Sequence, residues 1–173
     1  MYNLSELYKL NWFKSLPSTQ RQLLEQSFYL LEEIGYNHRE FYDYSFIVMP
    51  ASKAYEGFVK DFLFLLKLIS EKRYKGRRFR VGKALNPALG KSDPDKFEAL
   101  FDDLIEIFGS EDVPNMMWKT WKQCRNQVFH YFYDEKKAIS LYQAKEKLQR
   151  ILKMIEVIQE FKVIRKMSYR FGH

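Results

Sequence analysis

Hydrophobic residues recur at intervals of three and four positions along most of this chain, and alternation of polar and apolar residues is nearly absent. Intervals of three and four place apolar side chains on one face of an α-helix, whereas alternation would indicate a strand. Proline and glycine residues divide the pattern into successive stretches. We therefore expect helices at about 18–34, 39–70, 94–108, 114–131 and 134–168.

The first and third of these helices have recognisable end signals. Pro17 and Ser18 precede the first apolar stripe, and Gly35 follows it. The third helix is expected to open at the sequence Ser-Asp-Pro that ends at Pro94, and to stop at Gly109. A capping side chain, an early proline and a terminal glycine are typical of helix boundaries.

The second stretch leaves two alternatives open. Its apolar residues keep helical spacing from 46 to 69, but Pro50 interrupts the run. Because proline removes a backbone donor and kinks a helix, we expect either one long helix kinked at Pro50 or two helices that meet there. Residues 42–49 are also rich in strand-forming side chains, so a short strand is the alternative for that piece.

The last stretch carries a heptad-like seam, and it determines the fold class. Its apolar residues are spaced 3, 4, 3, 4 and 3 apart, at Leu141, Ala144, Leu148, Ile151, Ile155 and Ile158. Such a seam is typical of the inner face of a helical bundle. With 173 residues, we expect a single all-α domain spanning residues 1–173, built as a bundle of four to five helices, with 1–17 as an N-terminal extension.

The positive charge of the chain is concentrated in one segment. The formal net charge is +7, and residues 72–91 hold eight basic residues and no acidic one, so the rest of the chain is close to neutral. This basic segment also contains glycine and proline and shows no sustained period. We therefore predict a long basic loop between the second and third main helices. A clustered excess of cations attracts polyanions.

Composition excludes several other classes of protein. The densest apolar run, 62–66, is far shorter than the roughly 18 residues that a membrane span needs. A single cysteine, Cys124, excludes an internal disulfide framework and cysteine-pair metal sites. No closely spaced ligand set or glycine-rich phosphate loop occurs, so we expect no metal and no cofactor. No basic stretch precedes an apolar one at the N-terminus, and we expect a cytoplasmic protein without membrane association.

One short motif carries candidate chemistry. Arg125, Asn126 and His130 lie together on the fourth predicted helix. An arginine followed by asparagine, with histidine five residues after the arginine, would occur in roughly 0.006 of shuffled sequences of this composition. A structural interpretation is also open, in which the arginine pairs with a nearby carboxylate and the histidine caps the end of the helix. On a regular helix, residues five apart lie about 140° apart, so a shared site needs a distorted helix or a second chain.

The motif resembles the R-x4-6-H motif of the HEPN superfamily, whose members are helical bundles and often ribonucleases. Residues 50–58 further resemble the HEPN portion of RNase LS-type toxins, and the resemblance spans about 39–165. In those proteins an acidic residue on an early helix joins the arginine and histidine. Glu56 matches that position, and Asp43 is a second match. Phe132 stands where the HepT-type branch carries a tyrosine.

The resemblance implies a metal-independent endoribonuclease, acting as a homodimer and neutralised by a cognate antitoxin protein, in a toxin-antitoxin or phage-defence system. RNA cleavage of this kind requires proton transfer and a cation beside the phosphate. Histidine suits the first requirement and arginine the second. Asn126 is expected to orient the imidazole or the phosphate, and Glu56 to hold Arg125 or to share proton transfer.

The basic segment is expected to contact the RNA backbone. Its candidate RNA-binding residues are Arg73, Lys75, Arg77, Arg78, Arg80 and Lys83. Docking of an acidic antitoxin and a solvated loop are alternative roles for the same charges. The alternative function for the whole chain is a catalytically silent HEPN-like module for dimerisation or nucleic-acid binding.

Overall fold

A computed structural model of the chain describes residues 2–37, 40–89, 99–130 and 138–171, with the backbone alone for 37 and 163–171. All regular structure within these ranges is helical, and none of it is strand. The predicted all-α class is confirmed. The elements are α1 (Leu4–Leu7), α2 (Asn11–Lys14), α3 (Ser18–Asn37), α4 (Ser45–Leu65), α5 (Glu71–Lys75), α6 (Val81–Ala84), α7 (Phe101–Phe108), α8 (Asp112–Trp121), a π turn (Lys122–Asn126), α9 (Gln127–Phe129) and α10 (Leu141–Phe171).

Helix α4 forms the centre of the bundle and packs against both α3 and α10. Tyr55, Phe58 and Phe62 on α4 are almost completely buried. The seam of α10 faces them: from Ala144 to Ile158, its predicted positions are fully buried. Removing large apolar side chains from water on both helices is the main stabilising contribution to such a bundle.

Pro50 lies inside α4, and the helix continues through it. The nearby Ala51 N–H donates to the hydroxyl of Ser27 on α3 at 2.9 Å, and Ser27 is completely buried. A side chain of the neighbouring helix thus satisfies a backbone donor beside the proline. The strand alternative for 42–49 is wrong, and the helix begins at Ser45, six residues after the predicted start.

The basic segment connects α4 to α7 and is a loop only in part. It contains α5 and α6, and Val81, Ala84 and Leu85 are buried in the core. Tyr74 stacks on Phe64 with ring centroids 4.5 Å apart and donates to the Asp61 carboxylate at 2.7 Å. Each helix has only four or five residues, too few for a recognisable period, and helices this short depend on tertiary contacts for stability. Residues 90 and 91 lie outside the described ranges.

The remaining helices differ from expectation mainly at their ends. Helix α7 stops at Gly109, whose positive φ of 74° forms the left-handed cap that glycine favours. Its predicted start at residues 92–94 lies outside the described residues. The predicted helix at 114–131 is divided into α8, the π turn and α9. We call these three elements together the motif helix. The last helix begins at Leu141, while the predicted start near 134 lies outside the described residues.

Three residues of the segment 2–17 join the core of the bundle. Leu7, Phe13 and Leu16 are buried. The backbone of Tyr2 exchanges two hydrogen bonds with the amide side chain of Gln149 on α10, at 2.9 and 3.1 Å. None of the helices in the described part of the chain is long and apolar enough to cross a membrane.

Candidate active site on the motif helix

The motif residues lie where the motif helix departs from α-geometry. Lys122–Asn126 form a π turn, in which the N–H of Gln127 donates to the carbonyl of Lys122 five residues earlier. Helix α9 then ends at His130, which has an extended backbone with φ −102° and ψ 133°. Single π turns are rare and frequently occur at functional sites. The π turn includes Arg125, and the helix ends at His130, so the helical geometry changes at both motif residues.

Arg125 is held by a carboxylate and two aromatic rings. Its Nε donates to Oε2 of Glu56 on α4 at 3.1 Å, and the two side chains are 32% and 33% exposed. The guanidinium carbon lies 5.7 Å from the Trp121 ring centroid and 5.1 Å from that of Phe129. These contacts fix the plane of the guanidinium group at a half-exposed position. Among the described residues, none accepts from its terminal Nη groups.

His130 is exposed at the end of the motif helix and is bonded to Asn126. Its Nε2 lies 3.0 Å from Oδ1 of Asn126, four residues earlier. When the amide oxygen accepts, Nε2 carries the proton and Nδ1 carries the basic lone pair. Asn126 directly follows Arg125, so the Arg125–Glu56 and His130–Asn126 pairs are adjacent along the chain.

The two candidate carboxylates occupy different environments. Glu56 contacts the motif arginine. One oxygen of Asp43 accepts the N–H of Ser45 at 2.6 Å, and the other accepts the N–H of Ile139 at 3.3 Å. Asp43 therefore joins the first turn of α4 to the segment before α10.

Cys124, which precedes Arg125, is completely buried. Burial raises the pKa of its thiol from 9.0 to about 11. The thiol is therefore protonated at neutral pH, and Cys124 is not an activated nucleophile. No group of three or more metal-ligating side chains occurs among the described residues.

The basic segment packs directly against the motif helix. A Cβ atom added at Gly82 would lie 2.2 Å from the ring of Trp121, so glycine is needed for this approach. Trp121 stacks in turn on Trp118 with centroids 5.5 Å apart, and its ring also faces Arg125. The tryptophans thus connect the two regions within the protein.

The predicted RNA-binding residues are exposed to different degrees. Arg77, Arg78 and Arg80 are exposed, whereas Arg73 and Lys83 are half-buried. Lys75 is exposed and pairs with Glu71 at 2.6 Å. The three exposed arginines form the part of the segment with the greatest access to a polyanion.

Sequence reasoning missed two residues that hold the π turn. Lys147 on α10 donates from Nζ to the carbonyl of Gln123 at 2.7 Å, and the hydroxyl of Ser52 on α4 contacts the carbonyl of Cys124. Ser52 lies four residues before Glu56, so its place on the same face of α4 was a usable signal. No signal in the sequence identifies Lys147, since one lysine on a lysine-rich helix resembles the others.

Comparison with protein-family models, with curated proteins and with solved structures finds no match to this chain.

Proposed function

We propose that this protein is a metal-independent endoribonuclease of the HEPN type, the toxin of a toxin-antitoxin or phage-defence system. The observation that carries the proposal is that the Arg125–Glu56 and His130–Asn126 pairs involve adjacent residues of one distorted and accessible helix end. An orienting carboxylate, a phosphate-binding cation and a proton-transfer group are the parts that this chemistry needs.

In the proposed reaction, His130 transfers a proton and Arg125 stabilises charge. A base removes the proton of the ribose 2′-hydroxyl, whose oxygen attacks the adjacent phosphorus. The 5′-oxygen leaves with a proton from an acid, so the products are a 2′,3′-cyclic phosphate and a 5′-hydroxyl. The Arg125 fork is suited to the phosphorane oxygens, because Glu56 engages only its Nε.

We further propose that the protein acts as a homodimer. One chain offers a single imidazole at this site, whereas the reaction needs both a base and an acid. Two motif helices facing across a cleft would supply both groups. If each site combines Arg125 of one chain with His130 of the other, mixing inactive Arg125→Ala and His130→Ala proteins restores part of the activity.

The test is cleavage of a labelled single-stranded RNA by the purified chain in excess EDTA, with the cut ends identified chemically. We expect cyclic phosphate ends and equal rates with EDTA and with magnesium at matched ionic strength. His130→Ala should lower the rate roughly 10²- to 10⁴-fold with unchanged thermal unfolding. A strict divalent requirement, or full activity of folded His130→Ala, would contradict the proposal.

The alternative is a catalytically silent module for dimerisation or nucleic-acid binding. One observation favours it: pairing of Arg125 with Glu56, together with His130 at a helix end, is also what a purely structural motif would make. Expression separates the two functions. A toxin arrests growth of its host unless a cognate antitoxin is co-expressed, and the arrest disappears in His130→Ala, whereas a silent module is tolerated in both forms.

A further inference from the structure

The π turn leaves one backbone carbonyl of the motif helix without its usual partner. In an α-helix the N–H of Gln127 would donate to the carbonyl of Gln123, four residues earlier. Here it donates to Lys122 instead. The carbonyl of Gln123 accepts the ammonium group of Lys147 on α10, at 2.7 Å. A side chain from another helix therefore replaces the backbone donor that the π turn removes.

Other contacts hold the same residues. The completely buried Ser52 bonds to the carbonyl of Cys124, and Arg150 donates to the side-chain oxygen of Gln123 at 2.6 Å. Lys147 differs from these in one respect. Its bond is required only in the π register, because in the α register Gln127 would satisfy the same carbonyl. A charged donor to a backbone carbonyl is also among the stronger hydrogen bonds in proteins.

The register of this turn determines how the motif residues are directed. A turn closed over five residues takes up about one residue more than an α-turn, which rotates the following residues by about 100° around the axis. Arg125 and Asn126 lie within the turn, and His130 follows it. A change to the α register would therefore redirect His130 relative to the residues before the turn.

We propose that Lys147 is a positioning residue, which selects the π register of residues 122–126 and so fixes the direction of His130 relative to the residues that precede the turn. The proposal deepens the proposed function and rests on it for its kinetic consequences. Lys147 does not act on RNA itself. Its role is to make the less common helical register the stable one.

The experiment compares Lys147→Met, which keeps the apolar stem and removes the donors, with Lys147→Arg, which keeps a charged donor. Lys153→Met is the matched control, because Lys153 lies on the same helix, is 62% exposed and pairs with Glu156 instead. Through-hydrogen-bond NMR couplings report the register directly. In the wild type the Gln127 amide should couple to the carbonyl of Lys122, and in Lys147→Met to that of Gln123.

Single-turnover cleavage then measures the consequence. At saturating RNA we expect Lys147→Met to be roughly 10- to 100-fold slower with an unchanged Kd for RNA, since small misplacements of catalytic groups have effects of this size. Lys147→Arg should recover most of the rate, and Lys153→Met should match the wild type. If Lys147→Met does not fold, Lys147→Ala, which also removes the donor, takes its place in both measurements.

A Gln127 coupling to Lys122 that persists in Lys147→Met would overturn the proposal, as would a register change that leaves the cleavage rate unaltered. A wild-type protein that cleaves no RNA would instead refute the proposed function. In that case the NMR couplings still decide whether Lys147 selects the register.

Discussion

Arg125 and the exposed arginines of the basic segment are held in opposite ways. A carboxylate and two aromatic rings fix the guanidinium group of Arg125. By contrast, the side chains of three arginines in the basic segment are exposed: Arg77, Arg78 and Arg80. The backbone that carries them is anchored at both ends, by Tyr74 before them and by the buried Val81 after them. The two regions touch through Gly82 and Trp121.

This difference separates two uses of positive charge. A fixed and planar cation can be matched to one phosphate at one moment of a reaction, where geometry determines the rate. Exposed cations attract any phosphate backbone, and their effect depends on number and on salt. We therefore expect variants of Arg125 to change the chemical step and variants of the basic segment to change binding.

The largest effect is expected for Arg125→Lys. Lysine keeps the positive charge and loses the fork, so the single-turnover rate should fall roughly 10²- to 10³-fold while the Kd for RNA changes little. Rapid-quench measurements at saturating RNA, with a separate binding titration, test this expectation. A wild-type rate in Arg125→Lys would mean that charge alone suffices, and the contrast with the basic segment would disappear.

The sequence alone predicts the motif helix and the basic segment to different extents. Periodicity and the seam from Leu141 to Ile158 were sufficient to predict the all-α class, because burial of one helix face imposes that pattern directly. The spacing of Arg125, Asn126 and His130 is sufficient to identify these residues as a candidate site. The π turn was not predictable, since it depends on donors from α4 and α10 that are distant in the chain.

The basic segment shows the opposite outcome. Its charge was evident from composition, but the two short helices within it were not predicted. Val81, Ala84 and Leu85 form too short a run to show a helical period, and α6 packs against α4, which is distant in the chain. Glycine at position 82 suggested a loop, whereas the structure uses it for close approach to Trp121.

An intermediate effect is expected for Glu56→Gln, which retains an acceptor for Arg125 and removes the charge. We expect a rate roughly 10-fold below the wild type, because the guanidinium group is held less firmly. The pH profile distinguishes the two roles left open for Glu56. A lower plateau with the same shape indicates that Glu56 orients Arg125, whereas loss of one limb of the profile indicates that it transfers a proton.

Asp43→Asn is the matched control for Glu56→Gln, since it makes the same chemical change at the other candidate carboxylate. It should leave the cleavage rate unchanged and lower the free energy of unfolding by about 1 kcal/mol, because one of two accepted backbone bonds is weakened. Equal rate losses in Asp43→Asn and Glu56→Gln would show that the effect of Glu56→Gln does not come from the contact of Glu56 with Arg125.

The smallest effect on chemistry is expected when Arg77, Arg78 and Arg80 are replaced together by glutamine. RNA binding should weaken, and the slope of log Kd against log salt should flatten by up to about three counterions. The KM should rise while the single-turnover rate at saturating RNA stays within about twofold of the wild type, because these side chains are exposed and contribute no contact to Arg125.

Gly82→Ala is the comparison variant for the triple substitution. It changes no charge, but it displaces the basic segment from Trp121. A Cβ atom at this position would lie within 2.8 Å of three atoms of the indole ring, so either α6 or the ring must move. Because the same ring faces Arg125, we expect Gly82→Ala to lower the chemical rate and to leave the salt slope intact, the reverse of the triple variant.

An unchanged salt slope in the triple variant would assign its arginines to a protein partner or to solvent. Loss of single-turnover cleavage in the triple variant would place at least one of these arginines in the active site, and Arg125 would then share its role.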